Sequence, residues 1–549
     1  MGDHPFFMKR KSANKEVFSA NAVNDSVRSE IQEYLEIRQQ RRWIFPRAAL
    51  VGACAGIVAL LFRVALTESD HLRNNMITWA HQRPALGWIF PVLFTALGAG
   101  ISVAITRRYA PEASGSGIPH LEAVLHRIRN LEWKRVLPVK FFGGILAIGS
   151  GLALGREGPT VQMGGAVGDA VSRWLKVSPR ERLTLISAGA GAGLAAAFNA
   201  PLSGLVFVLE EVRRDFQPIV FGAAFIAAAV ADIIARLGSN QFPVFAVPTY
   251  AIPPLGALPF FALLGIIAGG LGVLFNRSLM TAIEAYARIP SRFMLPAAAI
   301  TGGVVGLIGW FSPITIGSGH VLAESALKGE LALSAILLFF AVRFLLTNIS
   351  YGTGAPGGIF APLLVLGALI GLAIGQVAHN LFPAIVPIPA VFAVVGMAAY
   401  FTAIVRAPLT GIMLILEMTG NYSQMLPLLV SCFCAYAVAE YLKDLPIYEA
   451  LLERDLKRGG GETVLKEPVV MDFIIQEGAP FAGLQVRALG LPAGCILVRC
   501  YDGKREWIPK AATHLRAHMR ITAMIAPEAS TAVEILRHGC GSTKKENSS

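Results

Sequence analysis

The eleven residues Ala200-Pro201-Leu202-Ser203-Gly204-Leu205-Val206-Phe207-Val208-Leu209-Glu210 return as Ala407-Pro408-Leu409-Thr410-Gly411-Ile412-Met413-Leu414-Ile415-Leu416-Glu417, with six identities and similar residues elsewhere. Gly189 and Gly396 keep the same offset of 207 residues, while Pro159 and Pro362, each closing a glycine-rich break, stand 203 apart. The chain therefore reads as two halves of common origin. Two homologous halves with interrupted apolar helices point to a transporter-like architecture with its site where the halves meet.

Composition supports this reading. Of 549 residues, 54% are hydrophobic and 15% charged, and the mean hydropathy is +0.56. Soluble chains carry about 25% charged residues, so a string of soluble domains is excluded and a polytopic membrane protein is expected. The formal net charge of +12 does not imply a nucleic-acid partner. Its basic residues flank apolar spans, as Arg38, Arg41, Arg42 and Arg47 do around Trp43, where cytoplasmic anchoring and anionic lipid account for them. The six cysteines show no metal-site spacing. Neither a metal nor a cofactor is expected.

Apolar stretches recur from residues 44–66 to 425–442, several of them too short for the roughly 20 residues that a span needs. Glycine and proline cut them at Gly155 to Pro159, Asn199-Ala200-Pro201, Gly354 to Pro362 and Arg406-Ala407-Pro408. Unpaired backbone is intolerable in hydrocarbon, so such breaks are expected to line an internal cavity.

Gly155-Arg156-Glu157-Gly158-Pro159 holds a carboxylate at membrane depth, which is a functional hypothesis by default. Two readings stand for Glu157: a capping group at a helix start, or a titratable gate. Gly115-Ser116-Gly117-Ile118-Pro119 and Gly357-Gly358-Ile359-Phe360-Ala361-Pro362 repeat the combination of glycine and helix start without a cationic side chain. Backbone N–H groups, the Ser116 hydroxyl and positive helix ends suit an anion bound weakly enough to leave. A cation filter would need carbonyl or acidic rings instead.

With GSGIP (115–119), KFFGG (140–144), GREGPTVQ (155–162), AAAFNAPLSG (195–204), GGIFAPLL (357–364) and Pro446-Ile447-Tyr448, the chain resembles the CLC family of chloride channels and chloride/proton antiporters over residues 43–455. The resemblance implies an all-α polytopic fold, an inverted repeat with broken and re-entrant helices, and a homodimer with one anion pathway per subunit. It implies that Ser116 and Tyr448 contact the central anion, with backbone from Ile359 and Phe360. Arg156, Glu157 and Gly158 then form the external site, and Glu157 is the gating glutamate. Glu211 falls where antiporters of the family carry their internal proton glutamate, with Glu210 as its neighbour admitting protons or water and Glu122 close by.

The expected function is therefore chloride/proton antiport across a lipid bilayer, with a passive chloride channel on the same fold as the alternative; no enzymatic activity is expected. Ser116 argues for chloride and Tyr448 against fluoride. Lys140 is read either as tuning the anion pathway or as snorkelling to the interface.

The resemblance sets a membrane domain at 43–455 (halves 43–245 and 246–455); composition adds a cytoplasmic N-terminal segment (1–42) with a polar helix from about Ser26 to Arg42, a linker (456–465) and a final domain (466–549). That last segment has β-rich runs at Val469 to Ile475, Cys495 to Tyr501, Arg505 to Ile508 and Arg520 to Ile525, with Asp502-Gly503 as a hairpin signal. It resembles the TrkA-C type of small α+β regulatory domain, for which an assembly role or an unknown small ligand is expected. With Lys9-Arg10-Lys11 at the start and no apolar leader pattern, the N-terminus is expected in the cytoplasm; the resemblance implies a bacterial inner membrane with both termini cytoplasmic.

Overall fold

The computed structural model describes residues 10–83, 85–238, 244–245, 247–458, 468–503 and 505–541, with side chains from residue 42 onward except that of Val469. Among the described residues, eight helices form each half. The first half comprises α1 (Arg10–His81), α2 (Ile89–Tyr109), α3 (Ile118–Leu125), α4 (Trp133–Ser150), α5 (Glu157–Trp174), α6 (Pro179–Phe198), α7 (Pro201–Phe207) and α8 (Pro218–Leu237). The second repeats the series as α9 (Leu258–Ala287), α10 (Met294–Phe311), α11 (His320–Leu327), α12 (Leu333–Gly352), α13 (Phe360–Leu381), α14 (Ala390–Val405), α15 (Pro408–Thr419) and α16 (Met425–Tyr441). The polar helix expected at Ser26 to Arg42 is absorbed into α1, which runs on through the first apolar span.

Local signals explain many boundaries. Proline opens α6, α7, α8 and α15, where its missing N–H has no intrahelical partner to lose. Ser178 caps α6, its hydroxyl accepting from the Glu181 N–H at 3.3 Å. Within each half, a glycine pair lets two helices meet backbone to backbone. Gly164 on α5 faces Gly189 on α6, and Gly367 on α13 faces Gly396 on α14, with no room for a Cβ at any of the four.

Among the described residues, eight helical segments are long and apolar enough to cross a membrane, from Arg42–His81 to Tyr422–Tyr441. Leu263, Ile266 and Leu274 on α9, with Ile300, Leu307 and Phe311 on α10, are exposed, as a lipid-facing surface requires. The protein is a multi-pass membrane protein.

The chain divides into two compact bodies, residues 1–116 with 133–442, and residues 117–132 with 443–549. In the second body α3 packs on α17 (Ile447–Arg458), and Arg129 Nη2 donates to the Asp455 carbonyl at 3.2 Å. This body ends in an antiparallel sheet of β1 (Val469–Ile474), β2 (Cys495–Tyr501), β3 (Glu506–Trp507) and β4 (Arg520–Ile525) in the order β1-β4-β2-β3. A final helix, α18 (Ala532–Cys540), packs on β1, and Leu497, Ile521, Ala523, Ile525 and Leu536 form the core between them. The four strands fall on the four β-rich runs, and Asp502-Gly503 sits in the β2–β3 hairpin. The expected linker at 456–465 needs revision at its start, because α17 carries residues 456–458 in helix. Residues 459–465 lie outside the described residues, as does the polar tail from residue 542.

Candidate functional site

Three of the breaks in the helices are hydrogen-bonded to one another. Gly155 and Gly358 exchange both backbone hydrogen bonds at 2.7 Å, and the Gly357 N–H donates to the Gly115 carbonyl at 3.0 Å. These bonds satisfy backbone that helices leave open, as apolar surroundings demand. They also bring the starts of α5 and α13 together beside Ser116. A Cβ on Gly158 would lie 2.8 Å from that of Ser116 and 3.1 Å from the Gly358 Cα, so only glycine fits.

Glu157 occupies the space that this junction creates. It is the first residue of α5 and 3% exposed. Its Oε2 accepts from the Ala361 N–H at 3.4 Å, in the first turn of α13, and the Arg156 guanidinium stands 4.0 Å from its Oε1. The carboxylate is thus held at the positive end of a helix of the other half, a position equally suited to a free anion. Ile359 and Phe360, which open α13, are fully buried at the same place. A cavity of about 530 Å³ adjoins Glu157, lined by Arg63, Asp70, Arg156, Phe198 and His320. It supplies guanidinium charge beside the carboxylate.

Ser116 is positioned by a buried lysine. Lys140 on α4 is 0% exposed and donates to the Ala113 and Gly115 carbonyls at 2.8 and 2.7 Å. It does not snorkel; it ties down the loop that presents the serine. Gly115 and Gly117 have φ of 59° and 80°, values that only glycine adopts readily. The Ser116 N–H faces the Tyr351 hydroxyl at 3.3 Å. Tyr448 and Glu122 belong to the second body, on the first turn of α17 and on α3, and both are buried.

The same loop exists twice. Pro313 to Gly319 repeats Pro111 to Gly117 at an offset of 202 residues, ending in Gly317-Ser318-Gly319. Arg343 on α12, also 0% exposed, donates to the Thr315 and Gly317 carbonyls at 3.0 and 2.7 Å, the counterparts of those that Lys140 holds. The sequence reading missed this copy. The shared Gly-Ser-Gly and the cation 203 residues after Lys140 could have revealed it.

The two acids at the end of α7 part company. α7 runs into a single π-helical turn, Val208–Val212, a feature frequent at functional sites. Glu211 is 3% exposed, with Arg214 Nη2 at 3.8 Å from its Oε1. Glu210, expected beside it as an aid to proton entry, directs both oxygens to the start of α15, accepting from the Leu409 N–H at 3.1 Å and from the Thr410 N–H and hydroxyl at 2.7 Å. Phe207 on α7 meets the Phe360 ring edge-on with centroids 5.6 Å apart, and Phe401 lies 4.8 Å from Phe360. A series of contacts therefore runs from Glu157 through Ala361 and Phe360 to the helix that carries Glu211.

Comparison with known proteins follows this geometry. The family model described as voltage gated chloride channel matches residues 98–440. The H(+)/Cl(-) exchange transporter ClcA of Vibrio parahaemolyticus is 44% identical over 422 residues, which are 75% of this chain and 89% of the relative. That of Vibrio cholerae is 40% identical over 457 residues, 81% of this chain and 96% of the relative. Among solved structures, a slow cyanobacterial Cl-/H+ antiporter is similar with a TM-score of 0.74 and 38% identity, covering 76% of this chain and 99% of that one. A eukaryotic CLC transporter is similar with a TM-score of 0.64 and 25% identity, covering 75% of this chain and 74% of that one.

Proposed function

The chain belongs to the voltage-gated chloride channel family, and from that premise we infer that it is a secondary active chloride/proton antiporter with the all-α inverted-repeat fold of CLC proteins. The observation that carries the mechanism is the Glu157 carboxylate on the Ala361 N–H at the start of α13. A carboxylate and a chloride ion compete for the same helix ends. Protonation removes the negative charge that holds Glu157 there, so the side chain yields its place to chloride. Loss of the proton brings it back. One proton is thereby exchanged against anion occupancy within a single site.

Ser116 and the backbone at Ile359 and Phe360 are proposed as ligands of the anion further in, with Tyr448 as a second hydroxyl. Arg156 and Gly158 complete the external site. Glu211 is proposed as the internal proton acceptor: it is buried, it lies in the π-helical turn that follows the helix whose Phe207 touches Phe360, and Arg214 stands beside it. We further propose a homodimer in a bacterial inner membrane with both termini cytoplasmic. For the C-terminal sheet domain, an assembly or small-ligand-sensing role is proposed on its sequence resemblance to the TrkA-C type.

Purified protein in liposomes under a chloride gradient is expected to drive protons against theirs. Chloride flux without proton movement would identify a passive channel instead. Glu211→Gln is expected to keep chloride flux while proton movement falls to that of protein-free vesicles; unaltered exchange would place the internal acceptor elsewhere.

A further inference from the structure

Each half of the membrane body caps a helix of the other with a glutamate. Glu210 takes the first N–H groups of α15, as described above. Glu417, its repeat counterpart on α15, takes those of α7: it accepts from the Leu202 N–H at 3.0 Å, the Ser203 N–H at 2.7 Å and the Ser203 hydroxyl at 2.5 Å. The donors of a helix start cannot be met by their own helix, so these three bonds hold one end of α7.

α7 has only seven residues before its π-helical turn. Over that length it carries Phe207, packed against Phe360 at the proposed anion site, and it leads directly to Glu211. A rod this short has little internal means of fixing its place; its register depends on its anchors. The other end is anchored by Glu210 on α15. The matching segment of α15 stays α-helical to Thr419 and has Met418 where α7 leads to Glu211, so the mirrored bond carries no titratable group beyond it.

We propose that Glu417 is a positioning residue for proton coupling: by holding the start of α7 it keeps Phe207 against the anion site and Glu211 in register for proton exchange. This rests on the reading of Glu211 as the internal acceptor. A glutamine at 417 would turn an amide NH2 or a weaker neutral oxygen toward donors that now share a charge, and α7 would loosen.

The test uses the full chain in liposomes, with chloride efflux and proton uptake recorded together. Glu417→Gln is expected to leave chloride flux at the wild-type order while protons moved per chloride fall about fivefold or more, the range of ordinary coupling between sites. Ser203→Ala, which removes only the hydroxyl, is expected to lower the ratio about twofold and remains informative where Glu417→Gln does not assemble. A wild-type ratio in either variant, or parallel loss of both fluxes, overturns the inference. Glu211→Gln, run alongside, separates the two claims: if it still moves protons, the reading of Glu211 fails, whereas lost protons there with an intact ratio in Glu417→Gln count against the clasp alone.

Discussion

Glu157→Gln is expected to carry chloride and no protons. The amide has the shape of the protonated acid, so it does not compete with chloride for the Ala361 N–H at the start of α13. It cannot titrate. Proton uptake should fall to the background of protein-free vesicles, and chloride flux should persist with its dependence on pH lost. The sign follows from the charge: in the wild type, raising the pH returns the carboxylate to the helix end and slows anion entry, and the amide removes that branch. Proton uptake retained by this variant would strip Glu157 of its role and leave it a capping residue.

Lys140→Met should behave in the opposite manner, losing both fluxes together. The Lys140 Nζ donates to two buried carbonyls of the loop that presents Ser116, at 2.8 and 2.7 Å. Methionine fills much of the volume but donates nothing. The Ala113 carbonyl loses this donor and the Gly115 carbonyl keeps only the Gly357 N–H of the bonds described, at a cost of about 1–3 kcal/mol for each unmet group. Against a total stability of about 5–15 kcal/mol, that is a marked loss, visible as earlier thermal unfolding in detergent. Lys140→Arg should retain most activity, because Arg343 does the same task for the duplicated loop. An active, fully stable Lys140→Met protein would show that the loop holds its shape without the cation.

How far the sequence carried the reading depended on whether a residue's chemistry was local. The carboxylate of Glu157 among glycines was legible, because a charge at membrane depth has few structural excuses. The breaks at 115, 155 and 357 were legible as breaks; that they hydrogen-bond to each other was not, since backbone pairing across 200 residues leaves no mark on side-chain pattern. The loop at 317–319 escaped because His320 replaces the expected apolar residue and no proline follows. Arg343 escaped because it sits within an apolar stretch that reads as an ordinary span. The family resemblance assigns Glu210 to the entry of protons or water; its partners, the N–H groups of Leu409 and Thr410, lie 199 and 200 residues away. The π-helical turn that holds both Glu210 and Glu211 has no sequence signal at all.

The mutual capping by Glu210 and Glu417 also constrains how such a chain arose. A half-length forebear standing alone would have left the opening donors of its α7 equivalent without the carboxylate that the other half now supplies, whereas two copies inserted in opposite orientations would each complete the other. In such a symmetric pair every substitution is made twice. The acid at Glu211 with Met418 at its mirror position is therefore a difference that became open to the halves once the two copies had separate sequences.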